Sequence, residues 1–164
     1  MILGVIQDDD FASNVLEHII NVQVDPIWKR HYTMELIQGK IQCEYRILIG
    51  ATMLSLPNLQ KRIQGIKYVS ESIRHARLPY MQYKFMTSQD VLQMLRDLQV
   101  MGLVFGEQTH FQIVHRSQDL VRLFFNEKDA EITREEVDMI WNVCSKQGQQ
   151  IKLEVYKVIL EVLR

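Results

Sequence analysis

A chain of 164 residues that is 47% hydrophobic has enough apolar surface for one sizeable core, and it reads as a single domain over residues 1–164. Nineteen basic residues nearly cancel twenty acidic ones, so no global field favours nucleic acid or an anionic membrane, and any charge argument has to be local. No window approaches the roughly eighteen consecutive apolar residues of a membrane span, and the start MILGVIQDDD lacks the basic region and apolar length of a secretory signal, which places the chain in the cytosol or the nucleus.

In chain order, Asp8, Asp9 and Asp10 precede the spaced apolar residues Phe11, Val15, Ile19 and Val22, and acidic side chains suit a helix N-terminus because they complement its macrodipole. Asp25-Pro26 suits an N-cap and first helical position. The stretch from Ile41 to Ser55 predicts a helix with Ile41, Tyr45, Leu48 and Thr52 along one face. A turn at Leu56-Pro57 follows, with Pro57 opening the next helix. That helix runs to about Ala76 through Leu59, Ile63, Ile66 and Ile73, and its outer side is basic. Residues 77–86 lack clean periodicity and read as an irregular connection.

Thr87 with Asp90 predicts a capping box, followed by Val91, Met94, Leu95 and Leu98, with Gly102 as the stop. Thr109 with Gln112 repeats the device and opens one long helix to Asn126. Thr133 with Glu136 predicts another box, with Val137, Ile140, Trp141 and Cys144 on the apolar face and Gly148 as its stop; Trp141 reads as a core anchor. The last helix carries two stripes, one of Ile151, Val155, Val158, Ile159 and Val162, the other of Leu153, Tyr156, Leu160 and Leu163. A lone surface helix needs only one stripe, so a further helix is expected against the second. The pattern is all-α, with about six to eight antiparallel helices joined by short turns, and the double-sided last helix favours a stacked array over a closed bundle.

The residues carry little that resembles an active site. Cys43 and Cys144 both sit inside apolar helical patterns, away from the glycine-bounded loop or helix start that activates a thiol. His18, His31, His75, His110 and His115 are scattered, and the last two are five residues apart, off the same-face spacing of a helical metal pair. The seven glycines are isolated and form no phosphate-cradling loop. No cofactor is therefore expected. Lys67, Arg74 and Arg77 can share one face of their helix and form the candidate partner-binding ridge, which suits an acidic peptide or a nucleic-acid backbone.

The string THFQIVHRSQDLVRLFFNEKDAEITREEVDMIW, Thr109 to Trp141, resembles the armadillo-like helical region of the very large ubiquitin-specific proteases of the fat-facets type. The likeness lies in a His near the helix start, an Ile-Val pair before a basic residue, a Leu-rich helix, an acidic turn, and then Ile-Thr and Val-Asp-x-Ile-Trp. It is firm over about Phe105 to Leu163 and looser over Leu56 to Arg96; Lys146-Gln147-Gly148 stands where the family has a Lys-His pair. The resemblance implies an α-solenoid and a parent ubiquitin carboxyl-terminal hydrolase that keeps its catalytic cysteine and histidine in a separate domain, so no catalytic residue carries over. It implies a scaffold for protein partners or ubiquitinated substrates, with the rest of the parent chain against the last helix. The alternative from the residues themselves is a self-contained helical adaptor that binds an acidic peptide or nucleic acid through the basic helix.

Overall fold

The computed structural model describes residues 34–77, 86–126 and 132–162, and those residues form eight helices and no strand. The expectations for Asp8 to Asp10, for Asp25-Pro26 and for the connection at 78–85 lie outside them. The chain divides into two compact units, Met1–Gln42 and Cys43–Arg164. Of the first, the described residues are the opening turns of helix α1 (Met34–Leu54), which begins earlier than the predicted Ile41 and passes through Gly39.

In α1 the buried face is Cys43, Ile47, Ala51 and Leu54, whereas Leu48 is 48% exposed, which corrects the predicted face. Two apolar arcs lie side by side on this helix, and the buried one is set by α2 (Leu59–Arg77), which crosses it at Gly50 and Gly65. A Cβ built on Gly50 would stand 2.8 Å from the Gly65 carbonyl oxygen, so only glycine allows the two backbones this close. Pro57 does not open α2. Asn58 does, its side-chain oxygen accepting from the Lys61 N–H at 3.1 Å as an N-cap.

Helix α3 (Ser88–Asp97) starts on the predicted capping box: the Thr87 hydroxyl accepts from the Asp90 N–H at 3.1 Å, and the Asp90 carboxylate accepts from the Thr87 N–H at 2.8 Å. Its end differs from expectation. Leu98 is the C-cap, Gln99 adopts a left-handed conformation at φ 51°, and α4 (Val100–Phe105) restarts at once, so Gly102 lies inside a helix instead of ending one. The redirection lets Val100, Met101, Val104 and Phe105 reach the core, against roughly 1–2 kcal/mol for a left-handed non-glycine residue.

The predicted Thr109–Gln112 box is not made. The Thr109 hydroxyl is drawn inward to the carbonyls of Val104 and Gly106, and the neighbouring His110 caps α5 (Phe111–His115), its Nδ1 accepting from the Gln112 N–H at 3.2 Å. The single long helix expected to Asn126 is also broken, into α5 and α6 (Gln118–Asn126). Ser117 is fully buried at the break, its hydroxyl donating to the Val114 carbonyl at 2.7 Å while its own carbonyl accepts from the Val121 N–H at 2.9 Å. The Arg116 carbonyl freed there accepts from the Ser70 hydroxyl of α2 at 3.2 Å. Two short helices can therefore both aim apolar residues at the core.

Helix α7 (Arg134–Lys146) opens on the predicted Thr133–Glu136 box. Gln147 is its C-cap, and Gly148, expected as a stop, instead starts α8 (Gln149–Val162), its carbonyl accepting from the Ile151 and Lys152 N–H groups at 3.1 and 3.2 Å. The buried residues of α7 are Glu136, Ile140, Val143 and Cys144; Trp141 is 60% exposed, so it is no core anchor.

Packing contacts run in two lines. Helices α2, α6 and α8 form one, with α6 touching both others; α3, α4 and α7 form the second, and α5 touches α2, α4 and α8. The central position of α6 explains its composition: Leu120, Val121, Leu123 and Phe124 are all essentially inaccessible, each such side chain contributing roughly 1.5–3 kcal/mol.

Candidate docking face

Two residues of the predicted basic ridge lie on the surface of α2. Lys67 and Arg74 do reach the surface, with side chains 59% exposed, but the Lys67 ammonium lies 4.0 Å from Glu71 and the Arg74 guanidinium 3.2 Å from Asp119 of α6. Arg77 is the last residue of α2, and its side chain lies outside the described set. Arg62, from the same basic run, is 5% exposed and faces inward. Its Nε donates to the Leu54 carbonyl at 3.0 Å, Nη1 to Gln108 at 2.5 Å and Nη2 to Leu103 at 3.0 Å. Burial pushes its pKa down, yet a guanidinium keeps its proton, so the charge is held among carbonyl dipoles, one of them at the C-terminus of α1.

The thiols are equally turned inward. Burial pushes Cys43 up to about 11, and its Sγ–H points at the Ser72 carbonyl 3.8 Å away. Burial also raises Cys144, against a small opposing effect of Lys152. At neutral pH both are protonated core groups, the opposite of an activated nucleophile. Among the described residues no cluster of His, Cys, Asp and Glu is placed to hold a metal ion, and no helix is long and apolar enough to cross a membrane.

The surface feature that stands out is apolar. On α7, Val137 and Trp141 are 39% and 60% exposed, one turn apart; on α8, Leu153, Tyr156 and Leu160 are 53%, 36% and 60% exposed. The inner faces of these helices are meanwhile fully committed, through Ile140 and Val143 on α7 and Val155, Val158 and Val162 on α8. The two stripes read in the last helix are thus one buried and one bare over the described residues, with Leu163 outside them.

Side-chain contacts to Glu136 and Glu154 tie the two helices to the body. Glu136 serves twice: it completes the cap of α7 and accepts a two-pronged bond from Arg96 of α3, Nε to Oε1 at 2.8 Å and Nη2 to Oε2 at 3.0 Å. The Arg96 guanidinium also lies 5.6 Å over the Phe124 ring. Glu154 of α8, its side chain 12% exposed, meets His115 Nδ1 at 2.6 Å and Lys157 Nζ at 3.2 Å. Comparison with family models, with curated proteins and with solved structures gives no match.

The two carboxylates set an acid limit. Burial alone would raise Glu136, but hydrogen bonds from Arg96 and Thr133 outweigh it and hold the carboxyl below its ordinary 4.5. Burial likewise opposes, and His115 and Lys157 likewise lower, Glu154. A depressed folded-state pKa means stability that is complete above the unfolded value and lost as pH falls through the folded one. The urea midpoint is expected to hold down to roughly pH 5 and fall steeply towards pH 3, and the fall should be visibly shallower in Glu136→Gln/Glu154→Gln. Parallel curves for the two proteins would show that other carboxylates set the limit.

Proposed function

We propose that this chain is a non-catalytic helical scaffold that docks protein on its α7–α8 face, as part of an armadillo-like stack in a ubiquitin-specific protease whose catalysis resides in a separate domain. The observation that carries the docking reading is the bare stripe of Leu153, Tyr156 and Leu160, with Trp141 on the adjoining helix, on elements whose other sides are closed. Scattered exposed leucines are ordinary, but spaced ones on two successive helices mark a surface meant to be covered. The occupant is a helix, because apolar groups one turn apart on α7 and spread over about two turns on α8 match helical spacing. The two lines of packing contacts support a stack, in which each helix pair rests on the preceding one. The deubiquitinase setting rests on the likeness between Thr109 and Trp141 described above, and cytosolic or nuclear residence goes with it.

The buried, protonated thiols support a scaffold role. The ion pairs of Lys67 and Arg74 leave the rival adaptor reading with less free charge to offer an acidic ligand. The test has two parts. The folded chain should release no fluorophore from a fluorogenic ubiquitin substrate, and it should bind an apolar dye such as anilinonaphthalene sulfonate in a way that Trp141→Ser/Leu160→Ser abolishes without changing the circular dichroism. Turnover lost on changing Cys43 or Cys144 would overturn the non-catalytic role; dye binding indifferent to the double substitution would overturn the docking face.

A further inference from the structure

The junction of α3 and α4 has no local cause to bend. No proline or glycine stands between Ser88 and Met101, and Arg96, Leu98, Gln99 and Met101 are good helix formers. Gln99 makes no side-chain cap. The apolar residues Val91, Met94, Leu98, Met101 and Phe105 keep the three-and-four spacing of one helix face straight through the junction. Yet Gln99 sits at φ 51° and ψ 36°, alone among the described non-glycine residues in having a positive φ. A single helix from Ser88 to Phe105 would remove that strain. It would also give the N–H groups of Val100, Met101 and Gly102 the carbonyls of Arg96, Asp97 and Leu98 as partners.

What holds the bend is packing across it. Helix α2 touches α5 and α6, and α3 touches α6. Arg62 of α2 donates to the Leu103 and Gln108 carbonyls, and Arg96 of α3 donates twice to Glu136 of α7. Each of these contacts joins a residue before Gln99 to one after it, and each is made equally well when the later half belongs to a second copy. We propose that Gln99 is the hinge of a domain-swapped dimer, in which α3 and α4 fuse into one helix and α4–α8 of each copy packs on α2 and α3 of the other. The partner is a second copy of this chain, since the same sequence carries the matching half. A strained hinge with no slack between its elements favours such an exchange. The proposal does not rest on docking at the α7–α8 face.

The test refolds the full chain from urea at high and at low concentration and reads its mass by size-exclusion chromatography with light scattering. A dimer should form at high concentration and be absent at low. Gln99→Gly should weaken it about a thousandfold, because glycine adopts φ 51° without strain, is the poorer helix former, and enters at both hinges of the dimer. Gln99→Ala should tighten it about fourfold through helix propensity. Arg96→Glu and Glu136→Arg then separate exchange from side-by-side association. Alone, each variant sets like charges together within its own chain, whereas in an exchanged mixed dimer position 96 of each copy meets the opposite charge at position 136 of the other. Refolded together, with one variant isotopically labelled, they should give mixed dimers well above the statistical share by native mass spectrometry. A chain that stays monomeric even with Gln99→Ala, a dimer indifferent to Gln99→Gly, or mixed dimers at no more than the statistical share would each overturn the proposal.

Discussion

Gly65→Ala is expected to lower the unfolding free energy by about 3 kcal/mol, although alanine is the better helix former. The methyl group would stand 2.6 Å from the Gly50 carbonyl oxygen, 2.9 Å from the Leu54 nitrogen and 3.0 Å from Met53 Cβ. Two of those neighbours are backbone and cannot rotate away, so α1 and α2 have to separate. Separation opens gaps along Ile47, Ala51, Ile66 and Val69, and lost packing of that kind costs about 24 cal/mol per Å³ of residual void. The gain in helix propensity is at most about 1 kcal/mol, so the clash wins. Gly102→Ala provides the control, since nothing lies within 4 Å of its added Cβ and it sits inside α4. That variant should be stabilised by up to about 1 kcal/mol. Urea unfolding of both decides: two substitutions of identical chemistry should move the midpoint in opposite directions, and a shift of the same sign in both would refute the crossing argument.

The second large effect is expected at Arg62. Arg62→Met should cost about 4 kcal/mol, because the methionine fills the space but leaves the carbonyls of Leu54, Leu103 and Gln108 without their donor. Those acceptors come from the end of α1, from α4 and from the turn after it, 8 to 46 residues away along the chain. Arg62→Lys should recover little. A single ammonium keeps the charge but lacks the planar fork that reaches three diverging oxygens. A chemical-denaturation series that ranks lysine near arginine would mean that charge alone, without geometry, is what the site requires.

What could be read in the sequence was largely what is local. Thr87 with Asp90 and Thr133 with Glu136 form their boxes as expected, since a cap depends on residues three apart and little else. The all-helical character and the double stripe of the last helix followed from periodicity alone. The failures share a different cause. Thr109 and His110 compete for one cap, and the winner is set by the carbonyls of Val104 and Gly106, which draw the threonine inward. The breaks at Gln99 and Ser117 carry no proline or glycine, and they exist because the core rewards a change of direction.

Trp141 and Leu48 were misplaced for a related reason. Each lies on one of two apolar arcs, and only neighbouring helices decide which arc is buried. For the candidate site, spacing on α2 suggested a ridge of Lys67, Arg74 and Arg77, but the partners Glu71 and Asp119 are set by the helical turn and by α6. The Arg96–Glu136 pair, 40 residues apart, left no mark in the sequence beyond the cap to which Glu136 already belonged.

The tether between His115 and Glu154 fixes α8 against α5 before any partner arrives, and Lys157 closes on the same carboxylate. A helix already formed and anchored on one side gives up little freedom when its other side is covered. Most of the ordering entropy of docking then falls on the incoming segment, so complexes at this face should differ from one another in how long they last far more than in how fast they form.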